Sequence, residues 1–222
     1  MAEIGKIEKP KAESFSEKKK LYCVPNVYPL KDAPEGYQNL FNAYWDEVAE
    51  QLEKLETIGK IRKIFYENIH VRGEEALDII SKMNERALQI VRGKVEEGAV
   101  LLPIETEDIL GAYLDWSNCL RIVRTKPVFD KIFEFYTENF NKRMEHILNV
   151  IRSNLSEKEA GLLIIKDEDR TRLQFPQDIE VFLVTPPSYD GILKWIRDKW
   201  REIYQNKEST DEKEDSVKET NP

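Results

Sequence analysis

The sequence predicts one α/β domain of about five short, mostly parallel strands alternating with amphipathic helices. Three observations predict it. Five apolar runs recur along the chain: LYCVPNVYP, KIRKIFYENIHV, AVLLPIE, GLLIIKD and DIEVFLVTPP. The stretches that follow them mostly carry apolar residues at helical spacing. Several runs also end in polar residues, where the chain turns away from a core.

In chain order, residues 1–19 are rich in Lys and Glu without periodicity and read as a disordered lead-in. The domain is expected over residues 20–205. In the first run Pro25 and Pro29 remove ladder donors and limit the strand to a short or edge position. Leu40, Phe41, Tyr44, Trp45, Val48, Leu52 and Leu55 then mark an amphipathic helix ending near Gly59. In the second run Ile61, Lys63 and Phe65 alternate against Arg62, Ile64 and Tyr66.

Gly73 opens one helix through Leu77, Ile80, Met83, Ala87, Ile90 and Val91, and Gly98 sits where a left-handed cap belongs. AVLLPIE follows as a core strand. Thr106 caps a helix with Glu107 and Asp108 in its first turn. Thr125 and Pro127 open a long helix that reaches Leu155. Between GLLII and IEVFLV, the polar DEDRTRLQFPQ has room for a single helical turn, so a parallel crossover and an antiparallel hairpin both remain open. Ser188 is placed to cap the closing helix, and residues 206–222 read as a disordered, polar and acidic tail. If the first two runs are loops, the alternative is a mainly helical domain with a small C-terminal α+β unit.

Composition narrows the function classes. The net charge of −8 gives no electrostatic reason to bind nucleic acid or anionic lipid. No apolar stretch reaches membrane-spanning length, and the charged N-terminus has no signal-like apolar run. Two cysteines, Cys23 and Cys119, do not make a disulfide scaffold, so the expected setting is the cytoplasm. The glycine-rich phosphate loops and the nucleophile elbow are missing, as are the paired histidines of zinc hydrolases.

In an open parallel sheet, ligands bind beyond the C-terminal strand ends. The candidates there are Glu67, His70, Glu105 and Asp167 for catalysis, and Tyr28, Asn68 and Asp169 for ligand binding. Acids at three tips would serve as acid–base partners, or hold a divalent metal, if they converge. The plainer reading is that strand tips are polar because they leave the core. No cofactor is evident from any motif.

Residues 141–186 combine an arginine-bearing helix (NKRMEHILNVI, with Arg143), the strand GLLIIKDED and the strand FPQDIEVFLV. This order resembles the late part of the α/β proteins grouped with TraB, haem-uptake ChaN and erythromycin esterase. Asp167-Glu168-Asp169 stands where those proteins carry a histidine turn. The resemblance implies an α/β fold whose ancestral catalytic or haem-related site has been lost or rebuilt, and it assigns no catalytic residue. The leading expectation is therefore a non-catalytic module that binds a protein partner or a second copy of itself. The alternative is a metal-assisted hydrolase using the strand-tip acids.

Overall fold

The computed structural model describes residues 18–218, with side chains to residue 202. The expected lead-in, apart from Lys18 and Lys19, and the side chains of the expected tail lie outside the described residues. Five strands form one wholly parallel sheet: β1 (Lys19–Pro25), β2 (Ile61–Tyr66), β3 (Val100–Leu102), β4 (Ala160–Ile165) and β5 (Ile179–Leu183). Their order across the sheet is β3-β2-β4-β1-β5. The open question about the last two strands is resolved. β5 does not pair with β4; the connection passes over β1, and β5 runs parallel to β1 at the far edge.

Among the described residues there are seven helices, most of them packed on the sheet: α1 (Glu35–Leu55), α2 (Glu74–Met83), α3 (Glu85–Glu96), α4 (Glu107–Ile122), α5 (Lys126–Asn154), α6 (Asp167–Arg170) and α7 (Pro187–Lys218). Successive strand side chains point to opposite faces, and β1 shows the result. Tyr22 and Val24 join Phe41, Trp45, Ile80, Val91 and Ile192 from α1, α2, α3 and α7 in one core. Leu21 and Cys23 join Met144, Ile147 and Ile151 of α5 and Leu173 beyond α6 in the other. β4 is buried throughout, as a central strand covered on both faces must be.

Three local expectations are corrected. Simple alternation in β2 would put Ile61 opposite Ile64 and Tyr66, yet all three share one core. A register irregularity between Ile61 and Lys63 adds the residue that changes the face. The single helix expected from Gly73 to Gly98 is two, broken at Asn84, which is extended at φ −161° and ψ 93°. Ser188 is no cap: its hydroxyl donates to Glu47 of α1 at 2.6 Å and its backbone N–H to the same carboxylate at 3.1 Å.

This topology places a crevice. The chain leaves β1 and β2 toward one layer, and β3 and β4 toward the other. In the order β3-β2-β4-β1 neighbours therefore depart to opposite sides, and their C-terminal ends surround a gap where ligands enter such sheets.

Candidate site at the carboxyl edge of the sheet

Two linked polar clusters fill that gap. The first gathers on Glu67, the residue after β2, whose backbone N–H still donates to Ile164 of β4 at 3.0 Å. Its side chain is 1% exposed. Glu67 Oε1 accepts from Asn26 Nδ2 at 2.8 Å and from the Tyr28 hydroxyl at 2.9 Å. The Tyr66 hydroxyl donates to Asn26 Oδ1 at 3.2 Å. Asn84 Nδ2 reaches the same oxygen at 3.2 Å and the Val27 carbonyl at 2.8 Å, while Asn84 Oδ1 accepts from the Ala87 N–H at the start of α3. One buried amide thus ties a helix start to the tip of β1.

The second cluster centres on Arg143 of α5, which is 1% exposed. Its Nε and Nη2 donate to Glu105 Oε1 at 2.9 and 2.6 Å, and Nη1 donates to Asp169 Oδ2 at 2.7 Å. Nη2 also lies 3.4 Å from Asn68 Oδ1. Asn68 adopts φ 63°, a left-handed conformation that asparagine tolerates better than most residues. The guanidinium sits 4.7 Å from the centre of the Tyr113 ring of α4. Since Glu67 and Asn68 are consecutive, the β2 tip belongs to both clusters.

Burial dominates the electrostatics. It pushes the Glu67 carboxyl above its ordinary value, against the pull of Lys166 and the hydrogen bonds from Tyr28 and Asn26. Burial likewise raises Glu105 against the pull of Arg143. For Arg143 burial favours the neutral form, but Glu105 and Asp169 together hold its pKa above the ordinary value. The Tyr28 phenol is raised by burial and by the neighbouring Glu67, so it stays a hydrogen-bond donor.

The sequence-predicted residues are therefore brought together only in part. Tyr28 meets Glu67, and Asn68, Glu105 and Asp169 meet Arg143. Asp167 turns aside to pair with Arg170 at 2.7 Å. His70 is half-buried, and its buried Nδ1 has no partner among the described residues. The residues that the strand-tip reading missed are Arg143, Tyr66, Asn84, Tyr113 and Lys166. Two of them left a signal. Arg143 shares a helical phase with Ile147 and Ile151, and Asn84 with Ile80 and Leu88, so each is a polar residue on an apolar stripe.

Among the described residues, no three His, Cys, Asp or Glu side chains stand where they could hold a metal ion. Arg143 already supplies the positive charge that Glu105 and Asp169 face, so these residues as arranged do not fit a divalent cation. Glu67, Glu105, Asp167 and Asp169 each have a partner within the fold.

Beside the clusters lies an open cleft of about 420 Å³, between the tips of β1 and β4 and the start of α7. α7 lines it with Ile192, Leu193 and Ile196, and the segments after β1 and β4 line it with Asn26, Tyr28, Lys166, Asp167 and Glu168 together with the apolar Val27 and Leu30. Lys166 Nζ stands 5.7 Å from the centre of the Tyr28 ring. Compared with known proteins, the chain matches no family model, no curated protein and no solved structure.

Proposed function

We propose that the chain is a non-catalytic binding module that takes a small amphipathic molecule in the cleft between β1, β4 and α7. The observation that carries this reading is the mixed lining of the cleft, apolar along α7 and mostly polar at the strand ends. Asn26 and Tyr28 of that lining are fixed from behind by Glu67. Pre-formed pockets of this kind, with a few convergent polar groups, are where small ligands bind. Lys166 is the one cation lining the cleft and makes no ion pair among the described residues, while the neighbouring Asp167 is held by Arg170, so Lys166 is the group we assign to an anionic head group, against the opposing charge of Glu168.

The test is a thermal-shift series with medium-chain aliphatic and aromatic carboxylates, repeated on Leu193→Trp and Lys166→Gln. Leu193 is 45% exposed, so a larger side chain there narrows the cleft without entering the core. Carboxylates are expected to stabilise the wild type, less so Lys166→Gln, and to leave Leu193→Trp unmoved. Equal shifts in all three proteins, or none in the wild type, defeat the proposal. A Mg²⁺ or Mn²⁺ titration in the same assay separates it from metal-assisted hydrolysis, which requires the metal itself to stabilise the fold.

A further inference from the structure

Away from the cleft, α4 packs chiefly against α5, and together they form a two-helix arm. Not one residue from Gly111 to Lys142 is buried. Two helices alone cannot cover their apolar residues, and this arm leaves Leu114, Ile122, Val128, Phe129 and Phe133 between 42% and 77% exposed. The exposed surface has two shapes. Phe129 and Phe133 stack with ring centres 5.9 Å apart and form a ridge on α5. Ala112, Trp116, Cys119 and Ile122, with Asp115 and Asn118, line a largely apolar groove of about 610 Å³ on α4.

We propose that a second copy of this chain covers the arm, in an antiparallel two-fold pairing that completes a four-helix bundle. Ridge and groove are chemically matched and occur on the same arm, as a self-complementary interface requires. Charge sets the direction. The arm's ion pairs, Lys126–Asp130, Lys131–Glu134 and Lys142–Glu138, leave out Glu107, Asp108 and Asp115 on α4 and Arg121 and Arg124 at the turn. Laid antiparallel, the basic tip of one arm meets the acidic α4 of the other. At about 1.5 Å per residue, α4 is about 24 Å long, so two such helices present the several hundred Å² per partner that a stable homodimer buries. An anionic membrane would be repelled by that acidic stretch, which makes a second copy the better occupant.

Sedimentation equilibrium on the full chain tests the pairing at up to about 100 µM, where a micromolar dimer is well populated. The wild type is expected at twice its monomer mass of 26.1 kDa. Phe129→Asp with Phe133→Asp is expected at the monomer mass with an unchanged circular dichroism spectrum. Asp115→Arg should weaken association by about tenfold or more, and adding Arg124→Asp should restore it, since like charges brought together repel and the double swap pairs them again. The restored pair keeps the test decisive if the double Phe variant fails to fold. A monomeric wild type overturns the proposal, whether or not it binds vesicles, as does a dimer that survives the Phe substitutions or a charge swap without restoration.

Discussion

Arg143 holds Glu105 through two of its nitrogens while its third, Nη1, reaches Asp169, so one cation from α5 serves acids that follow two different strands. Such a group binds layers together because removing one member leaves the others charged and dry. Arg143→Met should lower stability by about 3–5 kcal/mol, the usual loss when a buried pair is broken. Adding Glu105→Gln should return part of it. Urea denaturation of the single and double variants measures both, and a loss below about 1 kcal/mol for Arg143→Met would contradict the role given to it.

Glu67 makes stability depend on pH in a direction opposite to most carboxylates. Burial raises its folded pKa above the ordinary 4.5, so as pH rises the unfolded chain releases this proton first. Stability is then lost as pH climbs from about 4.5 through the folded value, and no further above it. Glu105 acts in the same sense. Glu67→Gln should give a flatter profile of melting temperature against pH than the wild type across this window. A variant profile as steep as the wild type's would assign the dependence to other groups.

Asn84 satisfies the start of α3 and two acceptors at the β1 tip at once. Asn84→Ala forfeits a cap of about 1 kcal/mol and leaves the buried Val27 carbonyl unpaired at about 1–3 kcal/mol, while Asn26 Oδ1 keeps the Tyr66 hydroxyl. Asn84→Asp keeps the acceptor at the helix start but turns an anion toward the Val27 carbonyl. The Asp variant should therefore recover little of the loss, as read from denaturation midpoints. Full recovery by Asp would mean that only the helix cap matters.

Gly161 lies in the central strand, where an added Cβ would meet Phe65 at 3.0 Å, Leu21 at 3.2 Å and Leu155 at 3.3 Å. All three belong to one packed core, so none can withdraw freely. Gly161→Ala should cost about 1–3 kcal/mol by overpacking. Differential scanning calorimetry would show it as a lower melting temperature, and an unchanged value would mean that Leu21 or Leu155 repacks at no cost.

The strands were legible because each is a short apolar run ended by proline or polar residues, but the prolines misled on place: β1 reaches Pro25 and lies between β4 and β5, not at an edge. The strand order was not, because insertion of β4 between β1 and β2 depends on contacts distant in sequence. The site was half legible. Tip residues such as Glu67, Tyr28 and Glu105 follow from strand ends, but Arg143, which holds Glu105, comes from a helix interior and Asn84 from the break between two helices. Arg143 and Asn84 sit within otherwise apolar stripes, where the periodicity that reveals a helix hides the polar residue it carries. The bulge in β2 was invisible because its consequence, Ile61 on the face of Ile64, appears only once β4 sets the register.

The central place of β4 also bears on how the chain acquires its shape. β1 and β2 are separated in the sheet by a strand that begins only at Ala160. During synthesis, β1 can gain no neighbour until that strand emerges, and β2 can pair only with β3. Such late, non-local closure slows folding and keeps unpaired edges exposed. Chains truncated before residue 160 should therefore leave β1 without either of its neighbours, so the sheet closes only when the last third of the chain is made.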